Sequence, residues 1–146
     1  MVFSLGTGCS SGPKQWKVEL QAAKNTNGGR PVVVRLYQLK NPNAFQQATY
    51  DDLSDHDQKV LGNDWVAPDE VTAYPNCKTA FSTIDVKKET LYIGVVALFS
   101  QPGQREWKQS EKVQSSWWSF ATPTVKPKLW KNIIQLTDKP ADGCPQ

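Results

Sequence analysis

The segment Pro31–Leu39, which reads PVVVRLYQL, constrains the fold of this chain more than any other part of the sequence. Successive side chains of a strand point to opposite faces. Both faces of this strand are apolar, with Val32, Val34 and Leu36 on one and Val33, Tyr37 and Leu39 on the other. The only charged residue in the segment is Arg35. The pattern predicts a strand that is covered on both sides.

A short helical insertion is predicted directly after this strand. Apolar residues recur at helical spacing from Phe45 to Leu61, which gives a narrow stripe that can lie against a sheet. Two capping boxes with Asp in place of Glu are predicted, formed by Thr49 with Asp52 and by Ser54 with Asp57. Two short helices are therefore expected within about 43–62, the second ended by Gly62.

The segment before the buried strand predicts another strand and a turn. Residues Trp16–Ala22 alternate apolar and polar side chains, as in a half-buried strand. The loop Asn25–Arg30 contains Gly28 and Gly29, which permit the positive φ angles of a tight reversal. We expect the first and second strands to be antiparallel neighbours.

Short strands separated by Pro and Gly continue to the end of the chain. They are predicted at Val71–Tyr74, Ala80–Val86, Thr90–Phe99, Glu106–Val113, Trp117–Ala121 and Ile133–Thr137, with Thr90–Phe99 as a long central strand. The predicted fold class is all-β, a two-sheet antiparallel β-sandwich with a short helical insertion after the second strand. We expect residues 16–146 to form one sandwich domain and residues 1–15 to act as a flexible tether.

Composition excludes several classes of function. The chain of 146 residues is 38% hydrophobic and 21% charged, and it contains no apolar run of about 20 residues that could span a membrane. Its net charge of +3 comes from dispersed lysines rather than a dense basic run. Nucleic acid is therefore not an expected partner.

No catalytic constellation stands out, and we expect neither an enzyme nor a cofactor or small-molecule substrate. The single histidine, His56, lies between Asp55 and Asp57. Adjacent residues of a helix point in different directions, so these three side chains do not converge on one metal ion. The sequence also lacks a glycine-rich phosphate loop and a Ser-His-Asp arrangement with a nucleophile elbow.

Six tryptophans leave one alternative open, a secreted β-sandwich module that binds a ligand or carbohydrate. Exposed rings such as those of Trp117, Trp118 and Trp130 could form a stacking platform. Strand alternation sends one of Trp117 and Trp118 into the core, which favours a structural role.

Several segments together resemble the type VI secretion lipoprotein family TssJ (SciN-like). They are VVVRLYQL, NAFQQATYDDL, VLGNDW, YIGVVALF and REWK, and the resemblance covers roughly Val18 to Trp107. It implies a transthyretin-like sandwich that acts as a periplasmic lipoprotein of the type VI membrane complex, anchored to the outer membrane. It also implies binding to the periplasmic C-terminal region of the inner-membrane protein TssM, and thereby a part in assembling the complex across the envelope. The loop between the first two strands would take part, here Asn25, Thr26, Asn27, Gly28, Gly29 and Arg30.

The three cysteines fit this resemblance. Cys9, in LGTGCSS, resembles the cysteine of a bacterial lipobox and is the expected lipidation site; the alternative is a free thiol. Only eight residues precede it, fewer than the roughly 15–30 of a secretory signal, so we expect a longer precursor. The chain as written would then be unlipidated and water-soluble. In the oxidising periplasm Cys77 and Cys144 are expected to form a disulfide.

Overall fold

The computed structural model describes residues 14–113 and 124–146, and the predicted strand Trp117–Ala121 lies outside them. The strands are β1 Lys14–Ala22, β2 Val32–Leu39, β3 Asp69–Ala73, β4 Ala80–Val86, β5 Tyr92–Ala97, β6 Lys108–Lys112, β7 Thr124–Val125, β8 Pro127–Trp130 and β9 Ile133–Leu136. The helices are α1 Asn43–Gln47, α2 Tyr50–Asp55 and α3 Asp57–Leu61, with 3-10 turns at Thr26–Gly29 and Gly62–Asp64. No helix of the described residues is long and apolar enough to cross a bilayer.

The strands form two sheets, which confirms the predicted sandwich. The first sheet has the order β4-β1-β8-β9, with β7 also paired to β1, and the second has the order β3-β2-β5-β6. The predicted long central strand corresponds to β5, which lies between β2 and β6. The second sheet is antiparallel, but β7 and β8 run parallel to β1. The first sheet is therefore mixed rather than antiparallel.

The predicted pairing of the first two strands is wrong. β1 pairs along most of its length with β4, from Lys14 opposite Val86 to Leu20 opposite Ala80, whereas β2 pairs with β3 and β5. The loop between β1 and β2 therefore crosses from one sheet to the other. A Gly-Gly turn permits either a hairpin or such a crossover, since turn composition does not specify the strand that becomes the neighbour.

The core lies between the facing sides of the two sheets. β1 contributes Trp16, Val18, Leu20 and Ala22, and β2 contributes Val32, Val34 and Leu36, each at most 7% exposed. The same alternation places Arg35 and Tyr37 on the other face of β2, where the helices lie. Tyr37 is itself only 1% exposed, and its ring centroid lies 5.9 Å from that of Phe45 in α1. The prediction that β2 is covered on both faces is confirmed.

The helical insertion differs in part from its prediction. It contains three short helices instead of two, because Ala48 adopts an extended conformation between α1 and α2. The capping box of Thr49 and Asp52 is confirmed, and Gly62 ends α3 with a φ of 55° as predicted. The predicted Ser54 cap is wrong: Ser54 lies inside α2, where its hydroxyl donates to the carbonyl of Asp51.

Arg35, the only charge within β2, ties the insertion to the sheet. Its Nη1 donates to the carbonyls of Leu53 and Ser54 at 3.0 and 3.1 Å. Its Nε donates to the Glu70 carboxylate at 2.7 Å. A cation at the C-terminal carbonyls of α2 also interacts favourably with the helix dipole. The apolar strand therefore contains a charged residue because the Arg35 guanidinium binds the C-terminal end of α2.

The predicted disulfide between Cys77 and Cys144 is confirmed. It joins the β3–β4 turn to the C-terminal segment, with Cα atoms 5.5 Å apart. Gln21 supports this junction from β1, because its side chain donates to the carbonyl of Cys77 and accepts from the amide of Ala141, both at 2.9 Å. The polar face of β1 is thus covered here by the C-terminal segment.

Replacement of Gly94 by Ala tests the contact between α1 and the second sheet. A Cβ at Gly94 would lie 2.7 Å from two ring carbons of Phe45. We expect Gly94→Ala to lower the free energy of unfolding by about 2 kcal/mol, measured by urea denaturation, because a buried ring must move. Gly103→Ala is the matched control, since its Cβ meets the exposed Glu106 carboxylate, which can rotate away. Equal stability of the two variants would contradict this account.

Removal of the disulfide tests the attachment of the C-terminal segment. The bridge closes a loop with a sequence separation of 67 residues. We expect the double variant Cys77→Ser with Cys144→Ser to lose about 2–4 kcal/mol of unfolding free energy. Thiol titration of the unreduced, denatured chain in its unlipidated form should detect one thiol per molecule, that of Cys9. Three titratable thiols would show that the bridge does not form.

Candidate partner-binding surface

Three connections meet at one end of the sandwich, and we call them together the three-loop surface. They are the β1–β2 loop (residues 23–31), the β5–β6 loop (98–107) and the β8–β9 turn (131–132). The amide of Asn27 donates to the carbonyl of Lys131 at 2.7 Å, and the Asn132 side chain donates to the carbonyl of Gln101 at 3.3 Å. The three loops, although up to about a hundred positions apart in the sequence, thus form one continuous surface.

Asn27 holds two of these loops together. Its side-chain oxygen accepts hydrogen bonds from both the amide and the hydroxyl of Ser100, each at 2.9 Å, and its side-chain nitrogen donates to the carbonyl of Pro31 at 3.1 Å. Asn27 has a φ of 52°, and the φ values of Gly28 and Gly29 are 65° and 81°. Asn and Gly tolerate this left-handed region better than other residues do. The sequence Asn-Gly-Gly is therefore what allows the loop to reach Ser100.

Arg30 adds a second link between the same loops. Its Nη2 donates to the hydroxyl of Ser100 at 2.7 Å, and its Nε donates to the carbonyl of Asn27 at 3.3 Å. The guanidinium is exposed, yet two of its nitrogens are fixed by the protein. The loop consequently presents Arg30 in a defined position.

The predicted loop residues do not all face solvent. Asn25, Gly28, Gly29 and Arg30 are exposed, and Asn27 is partly exposed. Thr26 is 0% exposed, and its hydroxyl donates to the carbonyl of Leu129 in β8 at 3.1 Å. The expectation that Thr26 contacts a partner is therefore corrected: it supports the loop from inside. Its partner is 103 positions away in the sequence, so the local pattern could not reveal this role.

A groove of about 590 Å³ adjoins the three-loop surface on the helix-covered side of the second sheet. Gly103, Gln104 and Arg105 of the β5–β6 loop line it together with residues of α1, α2 and β6. At its base the rings of Tyr50 and Trp107 meet edge to face, with centroids 5.2 Å apart. The groove thus continues the surface formed by the loops.

Lys108 fixes the wall of this groove. Its Nζ donates to the carbonyls of Phe45, Gln46 and Ala48, each at 2.7 Å. The same ammonium lies 4.9 Å from the centroid of the Trp107 ring. Burial lowers the pKa of Lys108, partly offset by the charge of Asp52. Its three hydrogen bonds give Lys108 a structural role at the end of α1.

Other candidate residues lie away from this surface or outside the described residues. His56 is exposed between α2 and α3. Within residues 14–113 and 124–146, no group of three His, Cys, Asp or Glu side chains is placed to hold a metal ion. Trp16 and Trp107 are buried, and Trp65 and Trp130 are partly exposed. Cys9, Trp117 and Trp118 lie outside the described residues.

The fold is shared with proteins of one secretion machinery. TssJ1, a type VI secretion lipoprotein of Pseudomonas aeruginosa, superposes with a TM-score of 0.71 at 28% identity, covering 89% of this chain and 99% of that one. A chain of a type VI membrane complex gives a TM-score of 0.74 at 25% identity, with coverage of 86% and 99%.

A chain in a structure described as the type VI secretion protein TssM C-terminal domain from EAEC has the same fold, with a TM-score of 0.66 at 22% identity and coverage of 86% and 99%. No curated protein matches the chain.

These likenesses define a class, the β-sandwich components of type VI secretion systems. The family follows from the sequence itself, because residues 14–138 match the family model of the type VI secretion lipoproteins, which include VasD, EvfM and TssJ. The chain belongs to the type VI secretion lipoprotein family. The resemblance inferred from the sequence is thereby confirmed.

Replacement of Lys108 tests the wall of the groove. Lys108→Met keeps the apolar stem but leaves three carbonyls without their donor, so we expect a loss of about 2 kcal/mol of unfolding free energy. Lys112→Met is the matched control, because Lys112 lies in the same strand with its side chain on the same face and is exposed. Urea denaturation measures the free energy of unfolding of both variants. A Lys108→Met variant as stable as the wild type would contradict the structural role of this ammonium.

Proposed function

We propose that this protein is a periplasmic lipoprotein, anchored to the outer membrane through Cys9, that binds the periplasmic C-terminal region of TssM. In this role it helps to assemble the type VI membrane complex and catalyses no reaction. The observation that carries the proposal is the three-loop surface, which Asn27 holds in one arrangement. Family membership supports the lipoprotein role.

The solved structures support the choice of partner. One chain of this fold belongs to a type VI membrane complex, and another to a structure described by its TssM C-terminal domain. The partner region named in that description is the one that the sequence resemblance implies. TssM is therefore the partner to test first.

The three-loop surface has the properties of a binding site rather than of a flexible connection. Hydrogen bonds from Asn27 and Arg30 fix the β1–β2 loop before any partner arrives. A loop already ordered in the free protein loses less conformational entropy when it binds. Six loop residues alone are too few for the roughly 800 Å² that a standard interface buries on each partner. The neighbouring loop, the turn and the groove supply the additional surface.

The course of β1 separates the proposed anchor from the proposed binding surface. β1 begins at Lys14 and ends at Ala22, directly before the three-loop surface. A strand of this length spans roughly 26 Å. Cys9 precedes Lys14 by five residues, a covalent distance of at most about 18 Å. A lipid on Cys9 would hold the opposite end of the sandwich near the membrane and leave the loops available to a periplasmic partner.

A carbohydrate-binding module remains the alternative, but the described residues give it little support. Its stacking platform requires fully exposed tryptophans, and of the four in the described part of the chain two are buried and two are only partly exposed. The proposal of a non-enzymatic role rests on the family and on the position of His56 at a helix junction, away from the groove.

Binding to the periplasmic domain of TssM tests the proposed function. We expect saturable binding by the oxidised protein in calorimetry. Asn27→Ala should weaken it about tenfold, because the loop loses its hydrogen bonds to Ser100 and must be reordered on binding. Asn63→Ala, an exposed amide in the turn after α3, is the matched control. Unchanged affinity of a folded Asn27→Ala protein would exclude this site, and no binding by the wild type would exclude the partner.

Substitution of Cys9 tests the anchor. In cells that express the full precursor, Cys9→Ser should move the protein from the membrane fraction to the soluble periplasmic fraction, because an acyl chain contributes about 0.8 kcal/mol per buried methylene. The comparison protein is Ser10→Ala, which keeps the cysteine. Membrane retention of the Cys9→Ser protein would contradict lipidation at this residue.

A further inference from the structure

We propose that the three-loop surface and its groove bind an acidic segment of the partner. This inference rests on the proposed function, since it names the chemistry that the same surface recognises. The charges of the three loops, the geometry of Arg30 and the continuity of the groove support it independently of one another.

The three loops carry an excess of positive charge. The three loops contain four cations, Lys24, Arg30, Arg105 and Lys131, and one acidic side chain, that of Glu106. Their formal charge therefore equals the +3 of the whole chain, and the remaining residues are neutral overall. The sequence alone suggested dispersed lysines; the fold brings these four cations to one end.

None of these four cations is neutralised within the part of the chain that the structure describes. Its ion pairs join Arg35 to Glu70, Lys40 to Glu89 and Lys126 to Asp138. All four loop cations are exposed. A partner carboxylate could therefore pair with them without displacing an internal ion pair.

Arg30 gives this charge a fixed position. Because Ser100 and the Asn27 carbonyl hold two of its nitrogens, the guanidinium does not need to be ordered when a partner binds. A planar guanidinium matches the geometry of a carboxylate better than an ammonium does. The surface thus combines one positioned cation with the exposed charges of Lys24, Arg105 and Lys131.

The groove extends this surface toward apolar contacts. Gly103 and Arg105 belong to both, so a bound chain can pass from the loops into the groove without leaving the protein. The partly exposed ring of Tyr50 offers aromatic surface there, with the buried Trp107 packed against it. The Lys108 ammonium is already occupied by three carbonyls. The geometry therefore fits an extended segment with acidic residues at the loops and an apolar side chain in the groove.

Charge reversal at this end of the molecule is the first test. The variant Arg105→Glu with Lys131→Glu changes two exposed side chains for which no hydrogen bond or ion pair is found within the described residues. Lys87→Glu with Lys88→Glu makes the same change in the turn between β4 and β5, at the opposite end. Melting temperatures of both proteins verify folding, and affinity for the TssM domain is measured at low and high salt.

We expect the Arg105/Lys131 variant to bind at least about tenfold more weakly than the wild type, with a shallower salt dependence. The Lys87/Lys88 variant should remain within about twofold of the wild type. Salt-independent binding by the wild type, with no loss in the Arg105/Lys131 variant, would overturn the acidic segment but leave TssM binding intact. Failure of the wild type to bind the TssM domain would contradict both the proposed function and the acidic segment.

Cross-linking with a carbodiimide is the second test, and it identifies the carboxylates directly. The reagent condenses a lysine amine with a carboxylate to an amide, with loss of water, only where the two are in contact. Mass spectrometry of the complex should find Lys131 or Lys24 joined to Asp or Glu of the TssM domain. Cross-links confined to Lys87, Lys88 or other distant lysines would contradict the proposed site.

Discussion

The covering of β2 on both faces is the constraint on which the rest of this structure depends. One face of the strand packs against the first sheet, and the other requires a second layer, which the three short helices supply. Phe45 can approach the sheet because the neighbouring strand has Gly94 beneath its ring. Arg35 then uses the position of β2 to bind the C-terminal carbonyls of α2. If one face of β2 were polar, the three helices would have no apolar surface to pack against.

The proposed binding surface is a consequence of the same arrangement. The helices leave a groove where α1 approaches β6, and Lys108 closes the end of α1 at that groove. The β1–β2 loop has to cross between the sheets, and in doing so it passes the β5–β6 loop and the β8–β9 turn. The hydrogen bonds of Thr26 and Asn27 to neighbouring strands and loops hold the β1–β2 loop in a fixed position there. Elements required for folding thus also supply the site.

The sequence predicts those features that depend on neighbours along the chain. The capping box at Thr49, the end of α3 at Gly62 and the limits of Ala80–Val86 follow from local patterns and are confirmed. The partner of β1 depends on distant residues, and its prediction fails. The sequence pattern does not predict β8, because Pro127 indicates the end of an element, whereas in the structure it is the first residue of this strand, a position that accepts Pro.

The site was predictable only in part, for the same reason. The resemblance to a family located the β1–β2 loop, but it could not reveal that Ser100 and Leu129 hold that loop from other strands. The disulfide could be anticipated because the expected lipidation of Cys9 would leave one pair of cysteines. The grouping of Arg30, Arg105 and Lys131 could not, since it exists only once three separate loops meet.

The excess of positive charge in the three loops has a further consequence for a tethered protein. If Cys9 fixes the other end to a membrane, the positive loops point in the direction from which a periplasmic partner approaches. Complementary charge mainly increases the rate of encounter, and an ordered surface mainly reduces the entropic cost of the complex. The two effects act at different stages of binding and therefore add. A small sandwich can in this way bind firmly through loops that would be too short if they were flexible and uncharged.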